Sequence, residues 1–228
     1  MDHIHEEKYR GHVIRIYQDT TPGNPRTEWD NLGHMVCNHR RYNLGDEERS
    51  KQVRWDEFDS WAAIEKTLRW AGAVVILPLY LYDHSGITMR CTPFSCGWDS
   101  GQVGFIFVTE EDIKKEYGKV TKENIATAKR VLEGEVKSYD DYLTGNVYGY
   151  RVFEGDEVED DLDEVDSCWG FYGDWDGKEY GALQEARGAV RGILKHDAKE
   201  RAIQKKASDA MGIILVADRP NTMLEEEA

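Results

Sequence analysis

The sequence predicts a single α+β domain over residues 1–228, with a mainly antiparallel sheet of five to seven strands, helices largely on one face and a long C-terminal helix. Three observations predict it. Short apolar runs of strand composition recur with Gly, Pro and Asn turn signals between them. Stretches with apolar residues three or four apart mark amphipathic helices. No internal repeat or low-complexity linker divides the chain. The composition, 40% hydrophobic, 11% aromatic and 32% charged, is that of a globular protein. A chain of this length buries roughly 70–75% of its unfolded surface around one core and needs no disulfide staples.

The elements follow in order. Tyr9 to Asp19 alternates as a strand, and Thr20 to Arg26 carries the Pro, Gly and Asn that break pairing. Trp29 to Asp46 holds two Asn-Leu-Gly elements around a short strand at about Met35 to Asn38. Phe58, Trp61, Ile64 and Leu68 mark one face of a helix over Trp55 to Ala71. Ala71 to Tyr82 is the most apolar run, but twelve residues broken by Pro78 are too few for a membrane span of about 20. It reads as a buried strand, with an edge or a bulge at Pro78 because proline cannot donate to a ladder. Asp83, His84 and Ser85 make the turn into Gly86 to Cys91, and Thr92 to Gly101 leads to a further buried strand, Gln102 to Val108. Thr109 and Thr121 are N-cap residues of two helices, and Ser138 to Gly145 reads as one more helical turn. Asn146 to Gly155 and Glu164 to Gly173 have strand composition and form a hairpin, and a long helix starts at about Lys178.

The net charge of −15 is concentrated. Residues 154–166 carry nine carboxylates and no base, and Glu225, Glu226 and Glu227 add three more, which leaves −3 for everything else. Such density opposes packing, so 154–166 is expected to project as an acidic hairpin loop and 218–228 to be a flexible acidic tail. Lys and Arg are not clustered into a groove, so direct nucleic-acid binding is not expected. No membrane association is expected either. The four cysteines, Cys37, Cys91, Cys96 and Cys168, stand in a chain without a secretory leader pattern and read as reduced thiols in a cytoplasm.

Candidate chemistry sits where strands run into loops, because a rigid sheet end fixes polar groups. One loop carries Asp83, His84 and Ser85; a second Cys96, Trp98, Asp99, Ser100 and Gln102; a third Asp166, Ser167, Cys168 and Trp169. A fourth carries Asp30, Asn31, Cys37, His39 and Arg41. Brought to a common rim they supply the thiol, imidazole and carboxylate of an activated nucleophile, with Cys96, His84 and Asp99 as the triad. The spelling Ser167 to Phe171 is similar to the nucleophile region of papain-type proteases, but only His196 follows Cys168, on a helix, so that assignment is set aside. A zinc set of Cys37, His39 and His84 with Cys91 or Cys96 lacks any Cys-x-x-Cys pair. Asp174, Asp176 and Glu179 fall short of a calcium loop, and no Walker or Gly-x-Gly-x-x-Gly element is present. No metal or cofactor is expected.

As whole motifs, WDNLG, HRRYNLGD, LPLYLYDHSGIT, PFSCGWDSGQVGFIFV, YDDYLTGNVYGY and DSCWGFYG resemble a family of uncharacterised proteins carried by bacteriophages and other mobile elements, over roughly Gly11 to Gly173. The resemblance implies a setting, mobile DNA in a prokaryotic cytoplasm, where small acidic accessory proteins counter host defences. It carries no activity over. The leading expectation is an accessory protein that binds a host protein, a defence nuclease for example, with the 154–166 hairpin steering the encounter and Trp169, Tyr172 and Trp175 as anchors. Arg41, Asp83, Gln102 and Asp166 complete the expected binding set. The alternatives are a Cys/His/Asp hydrolase or transferase, and a module that sequesters a small nucleotide through Arg40, Arg41 and Arg90.

Overall fold

The computed structural model describes residues 2–155, 163–178 and 180–217, the side chains as far as Met211. Its elements are β1 (His5–Tyr9), β2 (His12–Gln18), α1 (Pro25–Glu28), β3 (His34–Cys37), α2 (Glu47–Gln52), α3 (Trp61–Trp70), β4 (Ala73–Asp83), β5 (Ile87–Arg90), β6 (Ser100–Thr109), α4 (Glu110–Tyr117), α5 (Lys122–Thr144), β7 (Val147–Glu154), β8 (Glu164–Tyr172) and α6 (Ala182–Ala217). The class is α+β, every strand pairing is antiparallel and the C-terminal helix is long. The strands form two four-stranded sheets, β1-β2-β7-β8 and β3-β6-β4-β5, where one sheet of five to seven was expected.

Period-2 burial explains the second sheet. Along β4 every other residue from Ala73 to Leu81 is buried, and the two faces of this sheet feed two different clusters. Val75, Leu77, Leu79, Leu81, Ile106 and Val108 meet Ile113 of α4 and Ala128, Leu132, Val136 and Tyr139 of α5. Val36, Phe105 and Phe107 face Ile64 of α3. Helices therefore cover both faces, a correction to the one-sided expectation. β4 is central, and β5 flanks it only from Tyr80 to Asp83, which leaves one side of Pro78 without a strand. At Gly104 an added Cβ would drive into the Val36 carbonyl, so only glycine lets β3 and β6 approach this closely.

The first sheet is closed on one face by α6. Ile14, Ile16, Tyr150 and Val152 pack on Ala182, Leu183, Ala186 and Val190, the small residues letting the helix sit low on the strands. From Lys199 to Met211 this helix is exposed throughout. On the opposite face Arg15 and Arg151 lie over the Phe153 ring at 5.2 and 5.1 Å, and Trp169 covers Gly149. The expected hairpin over 146–173 is present as β7 and β8, while 156–162 and 218–228, the cores of the acidic loop and tail, lie outside the described residues.

Local signals account for the ends. Thr109 and Asp112 form a complete capping box on α4, and the Thr121 hydroxyl caps α5 through Asn124 N–H. Ser60 caps α3, which therefore begins at Trp61, after a short 3₁₀ turn at Trp55–Glu57. Residues 138–144 continue α5 and form no separate turn.

Candidate functional site

A cleft of about 500 Å³ opens at one end of the second sheet. Three chain segments build it. The residues following β3 supply Asn38, His39, Arg40 and Arg41; the end of β4 supplies Leu81 and Asp83; the approach to β6 and its first residues supply Trp98 to Val103. Their convergence follows from register. β4 and β6 pair from Ala73 with Thr109 to Tyr82 with Ser100, and Asp83 N–H donates to the Asp99 carbonyl at 2.8 Å, which brings the two loops together. Asn38 N–H donates to Val103 O at 2.7 Å and sets the third segment beside them.

Asp83 organises the floor. Its carboxylate accepts from Arg41 and, at 3.3 Å, from the Tyr42 hydroxyl, and lies 3.9 Å from His39 Nε2. The His39 ring stacks on Tyr42 at 5.1 Å between centroids. Its Nδ1 accepts the Arg41 backbone N–H at 3.3 Å, which leaves the ring proton on Nε2, toward Asp83. Burial pushes the His39 pKa below the ordinary histidine value, with Arg41 and Arg40 adding to that and Asp83 opposing it. His39 is therefore a neutral imidazole near pH 7 with its lone pair already engaged.

The expected triad is joined in part. His84 Nδ1 lies 3.3 Å from Asp99 Oδ2, in a pair open to solvent. Cys96 does not line the cleft, and among the described residues no hydrogen bond links its thiol to His84 or Asp99. The Ser100 hydroxyl donates to the Cys96 carbonyl, so it is engaged as well. Of the residues expected to bind, Arg41, Asp83 and Gln102 line the cleft.

The third loop does not reach this rim. Asp166, Ser167, Cys168 and Trp169 lie on β8, in the other sheet, because β8 pairs with β7 and not with any strand of the second sheet. There Asp166 accepts from the Tyr150 hydroxyl at 3.2 Å, and Trp169, 42% exposed, lies 6.0 Å from the Tyr17 ring. Tyr172 and Trp175 are not free anchors: the Tyr172 hydroxyl donates to Gly23 O and its ring meets Trp29 edge-on at 4.7 Å, while Trp175 packs on His5 at 4.7 Å and joins the α6 cluster.

Asp30 and Asn31 also stay away from the cleft. Asn31 belongs to a network around Arg26, whose side chain is 1% exposed and donates to Asp46, Glu135, Asn31 and the Gly33 carbonyl. Glu135 in turn accepts from Leu32 and Gly33 N–H, and Asp46 from Met35 N–H. Cys37 is buried, and desolvation pushes its thiol up to about 12; the same cause moves Cys91 to about 11. Arg90 is turned away from the phosphate role, donating to Thr92 and Pro93 carbonyls and stacking on Phe94 at 3.8 Å.

Comparison with family models, with curated proteins and with solved structures finds no match to this chain. Among the described residues no three His, Cys, Asp or Glu side chains converge to hold a metal ion, and no helix is long and apolar enough to cross a membrane. Sequence reading missed Asn38 as a lining residue. The signal that finds it is its place one residue beyond β3, level with Val103 across the sheet.

Proposed function

We propose that the protein is a binding protein whose working site is the cleft at the end of the second sheet, and that it holds a small polar ligand there without transforming it. One contrast carries this reading. The groups that catalysis would need are engaged with each other or unaligned, whereas groups that suit recognition stand free: Asn38 and Arg40 line the cleft with no side-chain hydrogen bond or ion pair among the described residues, and Trp98 is 97% exposed at its edge. A volume of about 500 Å³ is of the size that takes a small molecule.

Gly101 gives the test. It lines the cleft, and a Cβ added there would meet nothing within 4 Å, so Gly101→Leu is the substitution chosen to crowd the site, with an unchanged melting temperature as the check that the sheet is intact. In a thermal-shift screen of nucleotides, sugars, amino acids and phosphate esters, at least one class stabilises the wild-type protein and none stabilises Gly101→Leu. Equal stabilisation of both proteins, or of neither, sinks the reading. Cys96→Ser leaves binding unchanged here, whereas the hydrolase or transferase alternative requires it to remove an activity.

A second reading, the accessory protein that engages a host protein, is favoured by a different observation. β8 follows the acidic run in sequence and exposes two large apolar side chains, Val165 and Trp169. Deleting 156–162 then abolishes capture of a basic host protein and leaves ligand binding in the cleft intact; capture that survives the deletion removes this reading.

A further inference from the structure

Resting on the reading of the cleft as a ligand site, we infer that its ligand is a nucleotide carrying a single phosphoryl group. Four kinds of group, matched to the face of the base, its edge, the ribose and the phosphate of such a molecule, line the same cleft. Trp98 is the platform for a base: it is almost fully exposed, has no aromatic partner among the described residues, and is followed by Asp99, whose carbonyl is tied to β4. An indole presented on a pinned backbone stacks on the π-face of any base, an interaction worth roughly 5- to 100-fold in affinity.

Arg40 is the phosphate group's partner. It stands between His39 and Arg41 in sequence but, unlike Arg41, donates to no carboxylate among the described residues. An unpaired guanidinium offers two parallel N–H donors to phosphoryl oxygens. Asn38 and the free Oε1 of Gln102, whose Nε2 donates to Gly104 O at 3.3 Å, supply amide groups for a base edge. The half-open carboxylate of Asp99 accepts from ribose hydroxyls, as carboxylates do in dinucleotide sites.

Charge sets the number of phosphoryl groups. The Arg and Asp residues that line the cleft are Arg40, Arg41, Asp83 and Asp99, a formal sum of zero, and Arg41 is already paired with Asp83. A single phosphoryl group answers Arg40. Further phosphoryl groups meet Asp83 and Asp99 without a cation to offset the repulsion.

Calorimetric titration with AMP, GMP, CMP and UMP, and with adenosine, ATP and inorganic phosphate as controls, tests the assignment. At least one monophosphate binds, ATP binds no tighter than AMP, and the free nucleoside binds roughly tenfold more weakly than its monophosphate. Trp98→Ala weakens the monophosphate roughly tenfold or more. Arg40→Gln brings it to the level of the nucleoside and leaves the nucleoside unchanged, with the melting temperature of both variants at the wild-type value. Tighter binding of ATP, or indifference to either substitution, overturns the inference. Two further outcomes separate it from the reading beneath it. If no nucleotide binds but another compound class still loses its effect in Gly101→Leu, the ligand assignment falls and the cleft stands. If nucleotide binding survives Gly101→Leu, both fall.

Discussion

Two arginines of the N-terminal region, Arg26 and Arg40, show how the same side chain serves a fold or a site. Arg26 is enclosed, and every oxygen around it has a partner: Asp46 and Glu135 accept from its guanidinium and from backbone N–H groups of the chain they anchor. Arg40 lies in an open cleft beside Asn38 and Trp98, with no partner among the described residues. A closed hydrogen-bond account marks structure, since a buried polar group must be satisfied. An open one at a rigid sheet end marks a place where something else completes it.

The largest expected effect lies on the closed side. Arg26→Met leaves Asp46 and Glu135, 21% and 12% exposed, without the buried cation they share, and breaking a largely buried pair in this way costs up to about 3–5 kcal/mol. Against a total stability of roughly 5–15 kcal/mol, that is a large fall in the urea midpoint. Adding Glu135→Gln and Asp46→Asn to Arg26→Met recovers part of the loss, because the buried charge is removed together with its partner. A midpoint unchanged by Arg26→Met removes the structural half of the contrast.

On the open side the same measurement barely moves. Trp98→Ala and Arg40→Gln remove exposed groups that touch no core cluster, so each shifts stability by about 0.5 kcal/mol or less in urea unfolding. A loss above about 1 kcal/mol for either would place these side chains in the packing of the loop and weaken the case for a vacant recognition surface.

Much of the fold was legible because period and punctuation are local. The apolar run before Asp83 and the runs around Gly104 and Tyr150 announce β4, β6 and β7, and Thr109 and Thr121 cap the helices they were expected to cap. β1 was not legible: His5–Tyr9 is a charged edge strand, and what stabilises it is pairing with β2 and an ion pair from Glu7 to Arg187 on a helix at the far end of the chain. The division into two sheets was not legible either, because β2 finds its neighbour in β7, a non-local choice that no window of sequence records. The same reason splits the site. The antiparallel pairing of β4 with β6 brings Asp83 and Asp99 together, whereas Cys168 and Trp169 went to the other sheet with β8.

The smallest expected effect concerns His39, which sits on the boundary between the two regimes: partly buried, yet lining the cleft. Its pKa is lowered by burial, by Arg41 and by Arg40, against the pull of Asp83, so the folded protein takes up a proton on this ring less readily than the unfolded chain does. The unfolded chain therefore binds more protons once the pH falls below about 6.5, and stability that is fully present above that value declines as the pH drops through the folded-state pKa. His39→Gln keeps a neutral polar side chain in the same place and removes this titration. Urea midpoints measured from pH 7.5 down to pH 5 should fall less steeply for the variant than for the wild type, with the two curves parallel above pH 7. Equal slopes at low pH would mean that the ring is protonated as easily in the fold as out of it, and the floor of the cleft would then be more open to water than its stacking on Tyr42 implies.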